Sequence, residues 1–187
     1  LYQVGDQLHT VLRGYKDSRI ESVRAKFAIQ VAAFFGRFIR DHGECIREAA
    51  GENWDGLVVV PSSHGREGVH PLAAAIGLIS GMELPVVDCL VATGIAVEHN
   101  KPAEAAYIAT SGAQGRRVLL IDDTYTTGAH LQSAATSLSR AGAQVLAAVV
   151  IGRVMDANFN EENARLLRAA RRKGFRFDGC CLEPEDG

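Results

Sequence analysis

From residue 57 onward, short apolar runs alternate with segments of helical period, and this alternation restricts the fold more than any other feature of the sequence. Residues 57–60 read Leu-Val-Val-Val and are closed by Pro61. Such a continuous run, without polar alternation, suits a central parallel strand covered on both faces. Residues 117–121 and 144–151 repeat the pattern, and 84–90 is a further strand candidate. Between them, 70–80 reads as a helix. So does the stretch carrying Leu131, Ala134, Ala135 and Leu138 on one face, and 160–172 before a Lys173-Gly174 stop. Ahead of the first strand, Ile20, Val23, Phe27, Val31, Phe34, Phe35 and Phe38 recur at helical spacing, and this helix is expected to continue toward Ala50. Residues 92–106 read as an exposed loop, 107–108 as a short strand, and 175–182 as one last strand. The expected architecture is α/β: a central, mostly parallel sheet flanked by helices, in a single domain over 1–187.

A chain of 187 residues can bury a substantial core without covalent staples. The hydrophobic fraction of 47% and charged fraction of 22% are those of a globular protein. A net charge of -2 supplies no whole-molecule field for nucleic acid or an anionic membrane. No apolar run is long enough for a membrane span. No basic-then-apolar leader opens the sequence, so a cytoplasmic protein is expected. The sequence opens at Leu1 rather than at a methionine, which leaves a preceding segment open. Cys45, Cys89, Cys180 and Cys181 make no CxxC pair, so four reduced thiols are expected rather than a structural zinc.

The chemistry concentrates where the 117–121 strand ends. Residues 119–129 read Leu-Leu-Ile-Asp-Asp-Thr-Tyr-Thr-Thr-Gly-Ala. In open α/β sheets, ligands sit at the carboxyl ends of strands. A following helix presents unpaired N–H groups and a positive dipole end, which favour a phosphate. Threonine hydroxyls add donors, and Gly128 lets the backbone approach closely. Asp122 and Asp123 would repel a phosphate. They suit ribose hydroxyls, or a hydrated Mg²⁺ held through water. The plain alternative is a strand end whose acids cap the next helix. No Gly-x-Ser-x-Gly elbow and no Walker A lysine is present, so hydrolase and nucleotide-kinase readings lack support.

Three apolar residues, Asp122-Asp123, three further residues, Thr127 and Gly128 resemble the phosphoribosyl pyrophosphate (PRPP) signature of type I phosphoribosyltransferases. The form Asp-Asp-x-Tyr-Thr-Thr-Gly-Ala is similar to the ComF-like and amidophosphoribosyltransferase-like branch. The resemblance implies the type I phosphoribosyltransferase fold. It also implies a Mg²⁺-dependent pentosyltransferase in nucleotide or secondary metabolism. Such an enzyme moves 5-phosphoribosyl from PRPP to a small acceptor and releases pyrophosphate. Asp122 and Asp123 would contact the ribose hydroxyls and the metal, while Thr124, Tyr125, Thr126, Thr127, Gly128, Ala129 and His130 would wrap the 5′-phosphate. His130 stands where the family usually has a threonine. Thr126 stands where some purine-salvage members carry an acid, so this chain looks unlike a purine-salvage enzyme.

The family's pyrophosphate loop matches Pro61-Ser-Ser-His-Gly-Arg-Glu-Gly68, giving Ser62, Ser63, Gly65 and Arg66 as pyrophosphate contacts. ComF-like members are more basic there; this chain offers Arg66 with His64 and His70. The family's mobile loop matches 98–102, where Lys101 would neutralise leaving pyrophosphate and His99 would donate a proton or hydrogen bond. Segment 13–19 resembles a Tyr-Lys stretch of ComF-like proteins, with Lys16 and Arg19 reaching the pyrophosphate side. A variable hood, here 1–13 with 156–185, would select the acceptor, and Arg153, Asp156, Asn158 and Asn160 are candidates for touching it. Each of these loops is also tenable as plain polar surface. A homodimer is compatible with the family. Two other readings stay open: a PRPP-binding regulator without catalysis, and a ComF-like protein associated with DNA uptake or repair. Weak basic patches argue against direct nucleic-acid binding.

Overall fold

A computed structural model describes residues 1–62, 68–82, 84–180 and 182. Two helices open the chain, α1 (Gln7–Asp17) and α2 (Glu21–Ala50). Strand β1 (Gly56–Val59) and helix α3 (Pro71–Ile76) follow, then β2 (Leu90–Ala92) and β3 (Tyr107–Ala109). The chain continues through β4 (Arg117–Tyr125), α4 (Ala129–Arg140), β5 (Gln144–Arg153) and α5 (Glu161–Lys173).

The main sheet has the order β1-β4-β5, and both pairings are parallel. Two isolated parallel bridges extend it, Leu57 with Val86 beyond β1 and Tyr2 with Val154 beyond β5. β4 lies at the centre, with Val118, Leu119, Leu120 and Ile121 all fully excluded from solvent. Successive side chains of a strand point to opposite faces. Leu119 and Ile121 therefore join Tyr15, Val31, Phe35 and Leu72 in one core, while Val118 and Leu120 join Leu131, Ala134 and Leu138 in the other. Helices α1, α2 and α3 supply the first core, and α4 with the β2–β3 hairpin supplies the second. The expected α/β architecture, with helices on both faces of a parallel sheet, is what the chain forms.

Three local expectations change. The strand read over 84–90 is split: Val86 makes a single bridge, and β2 begins only at Leu90. Pro85 has no N–H to give a ladder, although its carbonyl accepts from Leu57 N at 2.9 Å. The helix read over 70–80 stops at Ile76, where the glycines at 77 and 81 supply poor helix-forming positions. The described residues of 175–182 form no strand. Instead Phe175 and Phe177 turn onto Phe34 of α2, at ring separations of 5.1 and 5.3 Å. Among the described residues, no helix is long and apolar enough to cross a membrane.

Candidate functional site

β4 runs past the core for four residues, 122–125, and then turns into α4. The alternation that divides the two cores also divides the two acids. Asp123 falls on the Leu119–Ile121 side and meets α1. It is 2% exposed, and its Oδ2 accepts a hydrogen bond from the Tyr15 hydroxyl and an ion pair from Lys16 Nζ. Asp122 falls on the other side, half-buried, with Oδ1 accepting from Asp123 N at 2.8 Å. Burial, and then the charge of Asp123, push the Asp122 carboxyl up to about 7.

Thr124 lies opposite Gly152 of β5. A Cβ on Gly152 would stand 2.7 Å from the Tyr2 ring, so only glycine lets that ring cross the strand. Tyr2 thereby brings its hydroxyl to 3.2 Å from Thr124 Oγ1. Burial raises the Tyr2 phenol above its ordinary value, with the negative charges of Asp123 and Asp122 adding to it. The Tyr125 ring faces the Arg153 guanidinium at 5.4 Å, and its hydroxyl donates to Thr127 O at 3.4 Å.

Gly128 starts α4 at φ 82°, and a Cβ there would meet the Tyr125 hydroxyl at 2.7 Å. The position needs glycine for both its backbone and its neighbour. Thr127 Oγ1 accepts from Ala129 N at 3.3 Å, a local cap for the first turn. Thr126 is exposed beside it. His130 points back from the helix to the Tyr107 hydroxyl, 2.7 Å from Nδ1. That hydroxyl also lies 3.4 Å from the Pro61 carbonyl, so one side chain links the turns that end β4 and β1. Desolvation, with Asp122 nearby, raises the Tyr107 phenol above its ordinary range.

The remaining sequence candidates divide into three groups. His99, Thr126, Thr127, Arg153, Asp156 and Asn158 line one cavity of about 630 Å³. Lys101 lies at the edge of that loop, exposed, its Nζ 2.8 Å from Glu98. Asn100 between them holds φ 61°, a conformation asparagine tolerates better than most side chains. Ser62 lines a separate, largely apolar cavity of about 620 Å³ together with Pro61 and His70. Ser63, His64, Gly65 and Arg66 lie outside the described residues. Lys16, expected on the pyrophosphate side, is paired with Asp123 at the turn itself, while Arg19 is exposed between α1 and α2. Asn160 is a helix cap: its Oδ1 accepts from Asn163 N at 2.7 Å.

Sequence reasoning missed the three tyrosines that frame the turn. Tyr15 carried a usable signal, because it follows Leu12 by one helical turn and marks the inward face of α1. Tyr2 and Tyr107 carried none, since each reaches the site only through the sheet.

No family model matches the chain, and no curated protein matches it. Among solved structures it is similar to a phosphoribosyltransferase from Corynebacterium diphtheriae, at 18% identity over 86% of this chain and 79% of that one, with a TM-score of 0.38. A likeness that slight decides nothing about the site, which stands on its own residues.

Proposed function

We propose that this chain is a type I phosphoribosyltransferase that binds PRPP with Mg²⁺ on the 122–128 turn and transfers its phosphoribosyl group to a small acceptor. One observation carries the reading. An acid–hydroxyl–glycine turn leaves the carboxyl end of the central parallel strand and enters a 12-residue helix through a left-handed glycine. The α4 N-terminus and the Thr126 and Thr127 hydroxyls favour a phosphate at that place.

The acids fit a divalent cation unequally. Asp122 is pushed up to about 7 by burial and a neighbouring negative charge, and a nearby dication would relieve both. Asp123 Oδ2 is already engaged by Tyr15 and Lys16. Asp122 is therefore the residue to hold Mg²⁺, through water, and the ion would supply charge neutralisation for departing pyrophosphate. In this reading Asp122 also orients the ribose hydroxyls. Asp123 positions the turn by anchoring it to α1. Catalysis rests on orientation and charge stabilisation, without a covalent enzyme intermediate. The 630 Å³ cavity beside Thr126 and Thr127 is large enough for a small acceptor. His99 lines it, and Lys101 would reach the pyrophosphate if its loop closed. Ser62, Ser63, Gly65 and Arg66 are the expected contacts for pyrophosphate, and of these only Ser62 lies among the described residues.

The test is pyrophosphate release from PRPP and Mg²⁺ across a panel of nitrogen, oxygen and carbon nucleophiles. Release that requires an acceptor, and that Asp122→Asn abolishes, is expected. Tight PRPP binding without turnover across the panel would instead favour a regulator.

A further inference from the structure

We propose a second metal site, built from residues outside the 122–128 turn and its frame: His42, Cys45 and Cys180 bind a Zn²⁺ ion that fastens the C-terminal segment to α2. The three side chains place one ligand atom each within 4.8 Å of one another. Two sulfurs on a tetrahedral zinc sit about 3.8 Å apart, given Zn–S bonds of about 2.3 Å. Small side-chain rotations therefore close the site. Two thiolates and an imidazole are soft-to-borderline donors that select zinc over the Mg²⁺ expected at Asp122.

The surroundings are built to deliver these groups. His42 and Cys45 are three residues apart on α2 and share one face of the helix. Cys180 comes from 135 positions further along the chain. It is brought there because Phe175 and Phe177 pack on Phe34 and the Arg37 guanidinium covers the Phe177 ring at 4.1 Å. His42 is 7% exposed, and its Nε2 faces the Phe177 carbonyl. A carbonyl only accepts, so Nε2 donates there, and Nδ1 is the ring nitrogen left for a metal. A backbone carbonyl that fixes the tautomer in this way is the usual outer partner of a metal-bound histidine. Binding replaces two S–H protons by one Zn²⁺, releasing both protons to solvent. The assembled group is then neutral, which suits its partly buried place. The fourth zinc position is left to a further donor. Cys181 lies outside the described residues.

Elemental analysis of the full chain, purified in reductant, is expected to find one zinc per chain. Replacement by Co²⁺ should give thiolate-to-cobalt charge-transfer absorption in the near ultraviolet. Cys45→Ser, Cys180→Ser and His42→Ala should each lose stoichiometric metal, while Cys89→Ser keeps it. Circular dichroism checks that each variant is folded. Because folding could still confound the variants, the wild-type chain is also stripped with a chelator and titrated with Co²⁺, and the band should return at one equivalent. Failure of the reduced wild-type chain to take up either metal would overturn the proposal. So would a cobalt spectrum without the thiolate band, or metal retained in the folded Cys45→Ser and Cys180→Ser variants. None of these readouts depends on PRPP, so their failure leaves the proposed transferase untouched.

Discussion

Adjacent residues of a strand face opposite ways, and for Asp122 and Asp123 this sets two different environments. Asp122 holds its proton to about 7, against an ordinary value of 3.8. Between those values the folded chain binds more protons than the unfolded one, so stability from this group falls as pH rises through 7. Asp122→Asn should therefore raise Tm of the metal-free protein at pH 8, by about 2–4 °C for each kcal/mol in a chain of this size. The gain should shrink toward pH 5; thermal melts across that range check it. Asp123 poses the opposite case. Its side chain is 3% exposed beside Lys16 at 25%, so Lys16→Met removes the cation from a buried carboxylate that keeps its bond from Tyr15. A fully buried pair broken this way costs about 3–5 kcal/mol, and partial exposure of Lys16 lowers that to about 2–3 kcal/mol. Asp123→Asn in the same chain should recover part of the loss in denaturant unfolding, because the two changes share one contact.

Elements differ in how much of their placement the sequence carried. The strands at 57–60 and 117–121 were legible because burial on both faces leaves an unbroken apolar run, and 144–151 because it stays apolar after Gln144, although only Val149 of that run is buried. The long helix was legible because Phe27, Val31, Phe35 and Phe38 keep a helical period to one core. Segment 175–182 misled because Phe175 and Phe177 alternate as a strand would, yet both rings serve α2. Alternation records which side chains are apolar, not which surface receives them. The stretch read as an exposed loop over 92–106 begins on the last residue of β2 and closes on a 3-10 turn at Glu104–Ala106 with Ala106 buried, and its tether is not visible in the sequence. Ser133 of α4, fully buried, donates to Ala129 O at 2.7 Å and accepts from Ala103 N at 2.9 Å. Ser133→Ala leaves that amide unsatisfied, at a cost of about 1–3 kcal/mol. The loop that carries His99 and Lys101 should loosen with it. Hydrogen exchange at Ala103 should accelerate more than exchange at the core amides of β4.

At the scale of the molecule, the candidate site is where three distant parts of the chain meet the end of β4. The N-terminal segment supplies Tyr2, Tyr15 and Lys16; the β3 hairpin supplies Tyr107; and the β5 end supplies Arg153. The turn itself was readable, since 122–128 is contiguous and its glycine is required by a left-handed backbone. Its frame was not, because contacts such as Tyr2 with Thr124 span 122 positions and depend on strand order. The same holds for Cys45 and Cys180, which no local spacing connects. The central claim is that this turn holds PRPP with a divalent cation through Asp122. Calorimetric titration of PRPP into the wild-type chain, with and without Mg²⁺, tests it most directly when repeated on Asp122→Asn. Saturable binding that needs Mg²⁺, releases a proton near pH 7 and disappears in the variant is the predicted result. No binding under either condition, or equal binding by the variant, would contradict it.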